Sequence, residues 1–195
     1  MTYPVVKFLH LLGLVLMGAG LIGVWYADLR SRQLRGLAVF AEAVRTIAVF
    51  YDGLVVPGAL LLLGSGTWLI VTVYGGWAFL GMPWLTGMVA LFAFEFIEGN
   101  TITRLYFMRL RRLTREAVEV GHVTPALEAA RREHVPTFTH FLDIPLLFLI
   151  VMLGAMRPNT WTLFITGTAF ALGAAAILTL VIPRLYPFGL DGGRR

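Results

Sequence analysis

Charge is kept out of long stretches of this chain. Residues 8–26 and 54–77 hold no Asp, Glu, Lys or Arg, whereas 104–133 is crowded with them. Hydrocarbon imposes such segregation, because a charge left in a bilayer is costly unless it is paired or hydrated. A spanning helix needs about 20 mainly apolar residues. Five segments meet that need, roughly 4–28, 46–74, 84–107, 137–156 and 160–183. The expected fold is all-α, a polytopic membrane helix bundle of about five transmembrane helices forming one domain over 1–195. The overall charged fraction of 14%, against about a quarter in soluble domains, points the same way.

Local signals refine the boundaries. The second span has an amphipathic lead-in at 37–49, where apolar residues recur at helical spacing. Gly75-Gly76 and Gly81-Met82-Pro83 separate the second and third spans, and Pro158-Asn159 separates the fourth and fifth. Trp77, Trp84 and Trp161 fall beside these turns, where indole rings favour the membrane interface. The connection 108–136 reads as a helical extension: 109–120 continues the third helix, and Thr124-Pro125 suits the cap and first position of a short helix at 126–134. Pro136 is expected to interrupt before the fourth span. The first apolar segment is too long for a signal-peptide core and lacks a small-residue cleavage pattern, so it reads as a retained helix.

Every Lys and Arg except Lys7 and Arg157 falls on one side of this arrangement, in the first loop, the third loop or the carboxyl-terminal tail, which ends in Arg194-Arg195. The positive-inside rule then puts the amino terminus outside and the carboxyl terminus in the cytoplasm, with 108–136 as a cytoplasmic extension. The net charge of +5 is explained by this topology, and no nucleic-acid motif surrounds the arginines. The absence of cysteine excludes disulfides, thiolate metal ligands, iron–sulfur clusters and a cysteine nucleophile.

Ionisable groups within the spans are the functional clue, since each needs a partner, water or a cofactor. His10 lies in the first span, Asp52 near the inner end of the second, Glu95 and Glu98 in the third, and His140 and Asp143 in the fourth. At about 1.5 Å per residue, Glu98, Asp143 and His140 all lie roughly 20–24 Å from the outer ends of their helices. Glu95-x-x-Glu98 and His140-x-x-Asp143 each share a helix face. The four are therefore expected to meet in the inner half of the bilayer, with Asp52 at the edge of the group. Carboxylates and imidazole on facing helices suit a divalent metal or a proton relay, or simply fix the packing. His10 lies about 9 Å inside the outer end, with Lys7 one turn away on the same face. It reads either as a haem ligand or as a helix-to-helix hydrogen bond.

The run Tyr3-Pro4-Val5-Val6-Lys7-Phe8-Leu9-His10 resembles the start of HemJ-type protoporphyrinogen oxidases and of a related family of predicted integral membrane proteins of unknown function from bacteria. CopD-like copper-resistance proteins are more distantly similar. Pro57, Gly64, Gly66 and Trp68-Leu69 resemble that group's second span, and Phe141-Leu142-Asp143-Ile144-Pro145 with Arg157-Pro158 its fourth. The resemblance covers about the first 158 residues and implies b-type haem bound through His10. The chain departs from HemJ at Trp84-Leu85-Thr86-Gly87, where HemJ proteins carry a lysine near the start of the third span, and in adding a fifth span.

The expected function is a redox protein of the bacterial inner membrane, holding haem b through His10 and exchanging electrons with a quinone or membrane-bound partner. Glu95, Glu98, His140 and Asp143 would carry protons or hold a divalent metal. The alternatives are a proton or metal-cation carrier using those four residues, or a noncatalytic membrane subunit whose 109–135 extension docks a cytoplasmic partner or anionic lipid. The remaining partners expected are the lipid bilayer and further copies of the chain.

Overall fold

A computed structural model describes residues 2–189; Arg194 and Arg195, counted above with the basic tail, lie outside them. Five long helices cross in alternating directions: α1 (Thr2–Gln33), α2 (Leu37–Thr72), α3 (Pro83–Val120), α5 (His134–Met156) and α6 (Thr162–Leu185). The short α4 (Pro125–Arg131) lies between α3 and α5. All five long helices are apolar enough to span a membrane. Large apolar side chains such as Val15, Phe148, Phe170 and Ile177 stand exposed on their outer surfaces, the pattern lipid-facing helices require. The chain is thus a multi-pass integral membrane protein. One end of the bundle carries the arginine-rich connections and is called the arginine face; the other is the opposite face.

Hydrogen-bonding logic explains the helix ends. Pro83 opens α3 at a position whose N–H would be unpaired anyway. Thr124 caps α4 by accepting from the Leu127 N–H at 3.2 Å. Gly121 ends α3 in the left-handed region at φ 79°. Pro136 does not interrupt anything, in contrast to the sequence expectation: α5 already begins at His134, and a proline in the first turn forfeits no intrahelical bond. Trp84, in the first turn of α3, is buried, with its ring against Tyr74 and beneath the Arg157 guanidinium at 5.3 Å.

The amphipathic lead-in is part of the same continuous helix as the second span. Phe40, Val44 and Ile47 bury its apolar face against α1 and the arginine-face extension of α3. Further along, α1 and α2 touch backbone to backbone. A Cβ at Gly13 would stand 2.9 Å from the Gly58 carbonyl oxygen, and one at Gly58 would stand 2.5 Å from the Met17 nitrogen. Small residues at such a crossing let main chains pack without a hydrophobic driving force. α5 is the central helix, packed on α1, α3 and α6; α6 lies at the edge, mainly against α5.

Candidate functional site

Two helices change their winding where the polar residues gather. Residues Tyr51–Val55 of α2 and Gly99–Thr103 of α3 are wound as π-helix, a distortion that recurs at functional sites. The two segments are tied together by the Tyr51 hydroxyl, which donates to the Gly99 carbonyl at 2.7 Å. Gly99 leaves room for this contact, since a Cβ there would stand 2.9 Å from the Tyr51 oxygen and push that hydroxyl aside.

Between this level and the opposite face lies a cavity of about 440 Å³. α1, α2, α3 and α5 enclose it. Its walls are mostly apolar, including Leu14, Leu62, Met88, Phe92 and Ile150, while His10, Lys7, Arg157 and Glu95 supply the charged or titratable groups. Lys7 and Arg157 come from helix ends at the opposite face. Arg157 follows α5 in the left-handed region at φ 48° and lies over Trp84. That volume is within the range of small-molecule and cofactor sites, about 300–1,000 Å³.

His10 is oriented from α2. Its Nδ1 lies 2.9 Å from Ser65 Oγ, and the Ser65 hydroxyl donates to the Leu61 carbonyl. A hydroxyl has one proton, so while Ser65 donates to Leu61 it accepts from His10 Nδ1–H, and the lone pair then falls on Nε2. Sequence reasoning found His10 and Lys7; Ser65 escaped it, because a serine in a span usually bonds only to the preceding turn.

Glu95, Glu98 and Asp143 are all buried and lie within electrostatic reach of one another, as the shared depth predicts. Their surroundings differ. Glu98 Oε1 accepts from the Thr103 hydroxyl at 2.7 Å, and Thr103 lies 3.1 Å from the Thr139 hydroxyl of α5. The Thr139 hydroxyl also reaches the Pro136 carbonyl at 3.2 Å, so it links α5's own first turn to this pair. Neither carboxyl oxygen of Glu95 has a hydrogen-bond partner among the described residues. Glu95 lines the large cavity and also a smaller one of about 70 Å³, which it shares with Asp143, Tyr51 and Asn100. The smaller space has room for a few water molecules.

His140 does not join this group. Its imidazole faces α1, with Nε2 3.9 Å from Asp28 Oδ2 and its ring edge-on to Phe107. Thr139, one residue earlier, takes the place beside Thr103 and Glu98; a step of about 100° per residue separates the two directions. Asp52 is likewise elsewhere, in a partly exposed ion pair with Arg104 at 3.0 Å. Among the described residues no group of three or more His, Asp or Glu side chains is arranged to hold a metal ion. The four-residue metal set expected from the sequence is therefore not assembled.

Asp28 and Arg32, neither singled out from the sequence, form a buried ion pair at 2.9 Å. They sit at the end of the first span, where charges read as the start of a loop. Their i, i+4 spacing was the available signal.

Comparison with curated proteins and with solved structures finds no significant match. A family match covers residues 4–158, which takes in α1 to α5, both cavities and the buried Asp28–Arg32 pair. The chain belongs to the family described as predicted integral membrane protein (DUF2269).

Proposed function

We propose that this protein is a redox component of the bacterial inner membrane that holds b-type haem in the larger cavity through His10. The observation that carries the reading is the oriented imidazole: His10 lines the cavity with Nδ1 held 2.9 Å from Ser65 Oγ, and donation to Ser65 would leave the Nε2 lone pair for a metal. A histidine that ligates a metal commonly donates its other ring N–H to a fixed acceptor, which sets its orientation and basicity. The donor set also fits the group's edges, since Lys7 and Arg157 could pair with carboxylates at the polar end and apolar walls would cover the macrocycle. Bound haem would supply one-electron chemistry. The chain's own residues hold the imidazole, exclude water and balance charge. A quinone or a membrane protein is the proposed electron partner. The HemJ-like start of the chain supports the same cofactor.

The experiment is a visible absorption spectrum of protein purified from haem-replete cells. A Soret band is expected in the wild type and lost in His10→Ala, while Ser65→Ala keeps haem but shifts its midpoint potential. A colourless wild type, or a band indifferent to His10→Ala, overturns the reading.

A second reading has its own observation. Glu95, without hydrogen-bond partners among the described residues, lines both cavities, and buried carboxyls with water access are the material of proton relays. Glu95, Asp143 and Glu98 are proposed to move protons rather than to hold a divalent metal. Proton flux in liposomes that falls in Glu95→Gln supports this; undiminished flux in that variant removes it.

A further inference from the structure

We propose that Arg111 and Arg115 of α3 clamp the phosphate of an anionic phospholipid at the arginine face, with Met108 against its acyl chain. The site lies at the other end of the bundle from the His10 cavity and stands or falls separately from the haem reading.

One uninterrupted helix builds the face. α3 runs from Pro83 to Val120, and Phe94, Ile97, Leu105 and Met108 stand exposed along it. Arg111 and Arg115 follow Met108 at i+3 and i+7. They lie within about 60° of it around the helix and about 4.5 and 10.5 Å further along the axis. The other side of the extension is already covered: Tyr106, Phe107, Leu110, Leu113 and Ala117 are buried, packed towards the lead-in of α2 and the short α4.

The neighbouring arginines are engaged. Arg104 pairs with Asp52, Arg109 with Glu133 and Arg112 with Glu116. Arg111 and Arg115 are exposed and have no ion-pair partner among the described residues. At i, i+4 spacing their Cβ atoms are about 5–6 Å apart, close enough for both guanidinium groups to donate to one phosphate. Arginine suits this because its planar fork binds phosphate oxygens in pairs. Its long stem also lies along apolar surface while the charged head seeks the interface, which draws the pair back towards Met108. The acids of this stretch, Glu116 and Glu119, come later, about 12 and 16.5 Å beyond Met108. Charge is thus ordered along the helix, with the free cations nearest the bilayer.

That order selects between the two occupants expected for the extension. An acidic protein segment would be matched by charge alone. A phospholipid matches the free cations and the exposed apolar side chain on the same stripe, and arginines just beyond a span attract anionic headgroups.

The test uses the full chain in neutral detergent micelles. Fluorescent phosphatidylglycerol is titrated in, with fluorescent phosphatidylcholine as the neutral comparator. Arg111→Gln/Arg115→Gln should weaken phosphatidylglycerol binding about tenfold or more, the scale of two guanidinium groups beside an anionic headgroup, and leave phosphatidylcholine unchanged. Arg30→Gln/Arg45→Gln removes the same charge from exposed positions on α1 and α2 and should bind as the wild type does. Equal losses in the two double variants, or phosphatidylglycerol held no more tightly than phosphatidylcholine, overturn the proposal. Polyglutamate, standing in for an acidic protein segment, should bind more weakly than the lipid; tighter binding that needs Arg111 and Arg115 gives the face to a protein and overturns it too. Should the first double variant not yield monodisperse protein, Arg115→Gln against Arg45→Gln carries the same comparison.

Discussion

At the scale of single residues, the three buried carboxyls are not equivalent. Glu98 is held by Thr103, whereas neither oxygen of Glu95 has a hydrogen-bond partner among the described residues. An unsatisfied buried polar group costs about 1–3 kcal/mol, so Glu95 is retained at a cost to stability. Glu95→Leu should therefore leave the protein as stable or make it more so, while Glu98→Leu removes the bond to Thr103 and costs about 0.5–1.5 kcal/mol. Equilibrium unfolding in mixed micelles measures both, and a destabilised Glu95→Leu would make that carboxyl structural. These glutamates were legible in the sequence because apolar neighbours make a charge conspicuous. Asp28 and Arg32 were not, since polar residues at a span's end look like loop. His140 shared the right depth, but its direction depends on helix rotation, which spacing within one helix cannot fix against another.

At the scale of elements, the α1–α2 crossing sets the cavity. Gly13 and Gly58 bring the two backbones together, and the same pair of helices carries His10 and Ser65. Gly58→Leu should force them apart, costing about 1–3 kcal/mol or more, and should also reduce any ligand held at His10. Its unfolding midpoint checks the first effect, and a variant as stable as wild type would contradict the close crossing. The spans themselves were readable because hydropathy over about 20 residues is a property of composition. The two π-wound segments were not. They arise where Tyr51 of α2 meets the Gly99 carbonyl of α3, a contact between helices that no local pattern announces.

At the scale of the whole molecule, the two ends of the bundle carry different chemistry. The opposite face has the cavity with Lys7, His10 and Arg157, and the arginine face has the buried ion pair and the basic extension. The positive-inside rule predicts a cytoplasmic arginine face. The chain contains no cysteine, so single replacements report its orientation cleanly. In intact cells, an impermeant maleimide should label Trp77→Cys, which is 82% exposed in the connection at the opposite face, and should spare Arg112→Cys. The reverse pattern would invert the topology.

The proposed haem site is tested most directly by titrating haemin into the cofactor-free protein and into its His10→Ala variant, following the Soret band. The wild type should saturate at a single haem per chain, and His10→Ala should show only the unsaturating response of haemin partitioning into detergent. Equal titrations of the two proteins, or no specific band in either, would contradict the assignment of His10 as the ligand.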